Sequence, residues 1–406
     1  MNDLMGPHPA TTASPQPVAG IIRPFMPELD TLRGIAVFGV LLLHAFFWQY
    51  AGFSFGRWAR AFLNLTQPGG LGVNLFFVLS GFLITGILLD SKDRPNFYRR
   101  FYTRRALRIL PAYYALLIFL LLLRSSSTAF VGLSFIYLAN VTNFLGVACD
   151  YGPLWSLAVE EHFYILWPAV VRRLTIARLS MARLAWVSAA IVVLVPILRA
   201  VSYSLGWRDG LDWYTWFVVD SLAAGSLLAM LLRTSVTRRQ VKSVCGMLLG
   251  SALMLALAGE PFGILTRNRL LGAALQLTLI HIFFSGILLL VLLAGSGAGK
   301  RYVNIPALRF LGYISYGLYL DHLLAFRMYD RICRHYLPQF VPSNFHFELV
   351  LLRFLVAGGG AIAVAYLSRR FFEERFLRLK DSLLPQQSSL HPESAITRSV
   401  TDTQVA

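Results

Sequence analysis

Arg33 and His44 bracket the stretch RGIAVFGVLLLH, which between them is wholly uncharged. An imidazole exchanges a proton near neutral pH. A guanidinium stays charged and presents a fork of hydrogen-bond donors. Together they could take the proton of a hydroxyl and steady the negative charge that follows. Eleven steps along an α-helix make about three turns and about 16 Å of rise, bringing the two side chains to within about 20° of one face. Asp30, three residues before Arg33, is spaced to pair with it. With Arg33 at the edge of a membrane span, His44 falls near the middle of a hydrocarbon core about 30 Å thick. Ionisable groups at that depth face polar cavities and mark function.

Four further stretches carry candidate chemistry. FYRRFYTRRALRILPAYY (97–114) holds Arg99, Arg100, Arg104, Arg105 and Arg108. Such a cluster anchors a loop on anionic lipid, but Arg105 and Arg108 also project together at i,i+3 and could hold phosphate in bidentate fashion. In YGPLWSLAVEEHFYILWP (151–168), Ser156, Glu160 and Tyr164 repeat every four residues and share a face. Glu160 is either the structural partner of an arginine or the orienting acid for His44, and Glu161 points about 100° away. In RFLGYISYGLYLDHLLAF (309–326), Tyr319, Asp321 and His322 lie toward the outer end, where His322 either lines an acceptor entrance or is interfacial. Within GGLGVNLFFVLSGFLITGILL (69–89), Asn74 and Ser80 could hydrogen-bond into a cavity, whereas Gly72, Gly81 and Gly86 suit close helix approach. His281 reads as a core histidine, and Arg199 and Arg353 have no evident partner.

Membrane helices must position these groups. The chain has 406 residues, 56% of them apolar and 14% charged, with mean hydropathy +0.60. That composition is an all-α integral membrane protein. The net charge of +17 is explained by arginines flanking spans, so no nucleic-acid partner is implied. Ten segments are long and apolar enough to cross, near 32–50, 71–89, 106–123, 153–171, 184–202, 213–232, 243–258, 270–293, 307–325 and 348–367. Counting 129–145 as an eleventh would move most later Lys and Arg outside, so it is expected to be re-entrant or interfacial. Both termini are then cytoplasmic, with flexible tails at 1–25 and 382–406 around a membrane body at 26–381. Cys149, Cys245 and Cys333 show no metal-binding spacing, and a Cys149–Cys333 bridge is open. No metal is expected.

LDTLRGIAVFGVLLLH, GVNLFFVLSGFLI, RRALRILPAYY, LWSLAVEEHFYILWP and ISYGLYLDH appear in an order that resembles the acyltransferase family 3 integral membrane O-acyltransferases, across about residues 26–380. The resemblance implies transfer of an acyl group, most often acetyl, from cytoplasmic acyl-CoA to a hydroxyl of a carbohydrate or lipid-linked glycan in a bacterial cytoplasmic membrane. It implies that His44 is the essential histidine, Arg33 its partner, and Arg105 and Arg108 (with Arg104 beside them) the donor-handling arginines. Glu160 matches the first glutamate of the family's Glu-Glu segment. Asn74 stands where an acidic residue is common, and Asp321 where relatives have an apolar or aromatic one. Some members add a hydrolase-like domain after the last span; this chain reads as a stand-alone member. His44 would act as general base or as covalent acyl carrier. Arg33 would stabilise charge or hold the donor, and Asp30, Asn74, Ser80, Glu161, Tyr164, Tyr319 and His322 would line the pocket. The competing reading is a proton-coupled transporter, against which stand the lack of an inverted repeat and of paired broken helices.

Overall fold

Long apolar runs satisfy their backbone in lipid only as helices or closed barrels, and every regular element of this chain is a helix among the described residues. The computed structural model describes residues 20–176 and 181–383. The principal helices are α1 (Pro27–Tyr50), α2 (Arg57–Thr66), α3 (Leu71–Ser91), α4 (Phe97–Leu122), α5 (Thr128–Phe135), α6 (Leu154–Ile176) and α7 (Met181–Ser204). They continue with α8 (Asp220–Leu231), α9 (Arg238–Gly259), α10 (Leu270–Gly295), α11 (Pro306–Tyr313), α12 (Ser315–Tyr336) and α13 (Phe347–Leu379). Most of the expected tails, at 1–25 and 382–406, lies outside the described residues.

Seven helices among the described residues are long and apolar enough to cross a membrane. The three expected spans that depart do so for local reasons. The Glu160–Glu161–His162 run lowers the hydropathy of α6. The segment 213–232 breaks at Val219, leaving the 12-residue α8. The segment 307–325 divides at Ile314 into α11 and the longer α12, which runs on through Arg327, Asp330, Arg331 and Arg334. Tyr319 and His322 therefore lie in the first half of a 22-residue helix, not at an outer tip. The 129–145 segment does not span. Eight residues form α5, capped by Ser127, and a 3₁₀ turn at Asn143–Leu145 follows.

Contacts between helix ends show an alternating arrangement. At one end Arg172 donates to the Lys92 carbonyl, Arg233 pairs with Asp90 at 2.6 Å, and Arg238 donates to the Leu293 carbonyl at 2.7 Å. At the other, Arg331 reaches the Leu123 carbonyl at 2.8 Å and Arg327 the Ser125 carbonyl at 2.9 Å. The close pair in the centre is α3 against α8. A Cβ on Gly81 would lie 2.0 Å from the Leu222 carbonyl oxygen, and one on Gly225 2.1 Å from that of Val78. Backbones can approach so closely only where both residues lack side chains. Cys149 is exposed and Cys333 buried, both as free thiols, so the open disulfide is not formed.

Candidate active site

Five helices enclose a cavity of about 220 Å³. The α6 face read from the i,i+4 spacing supplies Ser156, Glu160 and Tyr164, with Glu161 beside them. From α4 come Arg105 and Arg108, from α1 Arg33, from α3 Ser80, and from α12 Tyr316 and Tyr319. Glu160 is fully engaged. Ser80 Oγ donates to its Oε1 at 2.8 Å and Tyr164 OH to its Oε2 at 2.9 Å. The Arg105 guanidinium lies over the Tyr164 ring, 3.6 Å from the centroid, and faces the charges of both glutamates. Its Nε is buried without a partner.

Arg108 differs. The cations around it are Arg33, Arg105 and Arg369, the Glu373 carboxylate also acts on it from beyond ion-pair range, and among the described residues it forms no ion pair. Arg33 is held by Asp30 at 3.2 Å and Arg369 by Glu373 at 3.4 Å. Converging guanidinium groups, one outside any ion pair, are the donor set that an anion with several oxygens would fit. Arg104 and Arg108 are both exposed to some solvent, but only Arg105 and Arg108 of the three line the cavity, because their i,i+3 spacing puts them on one face and Arg104 off it.

His44 lies deeper and is not on the cavity wall. A π turn at Leu43–Phe47 interrupts α1 where the histidine sits, a local widening frequent at functional sites. His44 Nδ1 is 3.0 Å from the Val40 carbonyl and 3.3 Å from Nε2 of His322, with ring centroids 5.1 Å apart. On the other side is Trp48, 6.3 Å away and largely exposed. The link back to the cavity runs through α12: His322 rests against the ring of Tyr319 (6.0 Å), and the Tyr319 hydroxyl meets Ser156 Oγ at 2.6 Å.

Several expectations need correction. Glu160 does not orient His44, since Ser80 and Tyr164 occupy its oxygens. Asn74 faces away from the cavity: its Oδ1 is 3.0 Å from His281 Nε2. His281 Nδ1 in turn lies 3.3 Å from Asp220 Oδ2, and Arg199 Nη2 reaches the same oxygen at 3.1 Å. That buried network gives Arg199 its partner, while Arg353 holds Asp330 at 2.7 Å. Sequence reading missed Tyr316, whose hydroxyl donates to the Ile109 carbonyl at 2.9 Å, although its position three residues before Tyr319 was a usable signal. It also missed Arg369, which the Arg-Arg pair at the end of α13 disguises as a topological anchor.

Comparison with known proteins gives these geometries a context. A family described as "Acyltransferase domain" matches residues 26–370. The chain is 28% identical over 343 residues to the peptidoglycan O-acetyltransferase OatA of Listeria monocytogenes, covering 74% of this chain and 49% of that protein. It is 34% identical over 208 residues to YrhL of Bacillus subtilis, provisionally named a peptidoglycan O-acetyltransferase, covering 45% of this chain and 29% of that one. With a Staphylococcus aureus protein provisionally named an O-acetyltransferase, identity is 27% over 394 residues, 91% of this chain and 60% of the other. The chain thus spans about half the length of the curated relatives it matches. No solved structure matches it.

Proposed function

The chain belongs to the acyltransferase family that it matches over residues 26–370, and from that premise we propose that it moves an acyl group, acetyl first, from acyl-CoA to a hydroxyl of a cell-envelope carbohydrate. The carrying observation is the arginine-lined cavity joined through Tyr319 and His322 to His44. A volume of about 220 Å³ is smaller than a usual drug-sized pocket, so it takes part of such a donor and leaves the rest at the basic end of the bundle. Arg108, with Arg33 and Arg369 near it, holds donor phosphate. Arg105 stays with Tyr164 and the glutamates and fixes the wall. The acceptor hydroxyl gives its proton to His44, worth roughly 10²–10⁴-fold in rate. Its oxygen bonds to the acyl carbon, and the thiolate of the donor leaves. In this reading the basic end and both termini face the cytoplasm, and the Trp48 side faces the acceptor. The names of the Listeria and Bacillus relatives make peptidoglycan the first acceptor to test.

Purified protein in vesicles, supplied with labelled acetyl-CoA and soluble peptidoglycan glycan strands, should release CoA and label the glycan. His44→Ala should stop both while the protein still inserts. Full activity in that variant removes His44 from the chemistry. The buried Arg199–Asp220–His281 network is the feature that favours a transporter; in that case the donor would remain intact in the same assay.

A further inference from the structure

His44 and His322 face each other in a way that fixes where their protons lie. The Nδ1 of His322 is 2.9 Å from the Leu318 carbonyl, which can only accept, so this nitrogen carries the hydrogen. The Nε2 of a neutral His322 then presents a lone pair, 3.3 Å from His44 Nδ1. That nitrogen also lies 3.0 Å from a carbonyl, that of Val40, and must be protonated for the same reason. Its single hydrogen is shared between the Val40 oxygen and the His322 lone pair. The Nε2 of His44 is left free of protons, the state a base requires. Each ring's role follows from the partner of its other nitrogen.

We propose that His322 is the positioning residue of His44: it holds the tautomer whose Nε2 is the base, and its Nε2 accepts the hydrogen bond from His44 Nδ1, which strengthens when His44 becomes an imidazolium. The inference rests on His44 acting as the base. In chymotrypsin-type triads a buried carboxylate has this duty. Here the histidine ion pairs among the described residues are at His281 and His346, not at His44. His322 is 1% exposed and Phe326 one turn further is fully buried. A neutral acceptor in such surroundings avoids the cost of burying another charge. The proton balance closes. The alcohol proton moves to His44 Nε2, the alkoxide oxygen bonds to the acyl carbon as its bond to sulfur breaks, and the departing thiolate takes that proton. His322 stays neutral throughout.

The test compares His322→Leu, which keeps volume and loses the acceptor, with His322→Gln, whose amide oxygen can stand where Nε2 stood. With labelled acetyl-CoA and peptidoglycan glycan strands, His322→Leu should lose at least 10-fold in kcat while the KM for acetyl-CoA changes less than 2-fold. His322→Gln should recover most of that loss. Equal activity in the two variants, or full activity in His322→Leu where His44→Ala is inactive, overturns the proposal and leaves the base reading standing. Activity in His44→Ala overturns both. Independently of whether either variant folds, ¹⁵N spectra of histidine-labelled wild-type protein in bilayers should show His44 protonated at Nδ1 and bare at Nε2. The opposite tautomer at His44 refutes the assignment.

Discussion

Alanine replacement of Arg104, Arg105 and Arg108 separately should give three different phenotypes, although the residues are near neighbours in sequence. Arg108 lines the cavity, has three arginines near it, and forms no ion pair among the described residues. Its proposed partner is a donor phosphate, and a hydrogen bond to a charged group contributes about 1.5–3 kcal/mol. At about 1.4 kcal/mol per factor of ten, Arg108→Ala should raise the KM for acetyl-CoA roughly 10- to 100-fold with kcat little changed. Arg105 is already engaged, 3.6 Å above the Tyr164 ring and opposite Glu160 and Glu161. Removing it leaves two half-buried carboxylates without their cation, a loss of about 1–3 kcal/mol in the fold. Arg105→Ala should therefore lower thermal stability and kcat together. Arg105→Lys should not restore them fully, because an ammonium cannot stack as the planar guanidinium does. Exposed Arg104 should change KM by less than 2-fold. Steady-state kinetics in vesicles at fixed ionic strength, with quantified insertion, reads all three. If Arg104→Ala and Arg108→Ala behave alike, or if the only effect of any of them is misinsertion, the arginines are membrane anchors and the cavity is not the donor site.

Two other outcomes follow from the packing. Asp220→Asn should destabilise the bundle by about 3–5 kcal/mol by leaving the fully buried Arg199 charge unpaired, whereas Arg199→Met combined with Asp220→Leu should be less harmful than the single change; thermal unfolding in detergent decides, and a milder single variant sinks the account. Gly81→Leu should abolish folded protein, since its Cβ would lie 2.0 Å from the Leu222 carbonyl oxygen, and gel-filtration yield checks it.

What the sequence makes legible depends on whether a feature is local to one helix. The Ser156–Glu160–Tyr164 face was readable because α6 is regular there, and all three residues line the cavity. Six residues separate Asn74 from Ser80 on α3, which sets them about 120° apart, so one could face the cavity only if the other did not. That separation is legible in the spacing alone. The Arg33–His44 register was read on an ideal helix, and no glycine or proline in LHAFF announces the π turn that tertiary packing imposes at Leu43–Phe47. Pairings such as Arg199 with Asp220, Arg353 with Asp330 and His44 with His322 join different helices, and no spacing within one helix encodes them.

The separation of the arginine cavity from His44 has an electrostatic logic that an ideal helix conceals. A base that becomes an imidazolium is opposed by nearby cations. Two like charges 4 Å apart repel by about 4 kcal/mol at an effective dielectric of 20, but at about 16 Å, the helical rise from Arg33 to His44, by only about 1 kcal/mol. A donor anion needs the guanidinium groups close, whereas the proton acceptor needs them far. In the proposed mechanism, carrying Arg33 and His44 on α1 about three turns apart would satisfy the two demands. It also explains why Glu160 is drawn to Ser80, Tyr164 and Arg105. A carboxylate is required where the cations are gathered, and if His44 is the base as proposed, an acceptor without charge is sufficient for it.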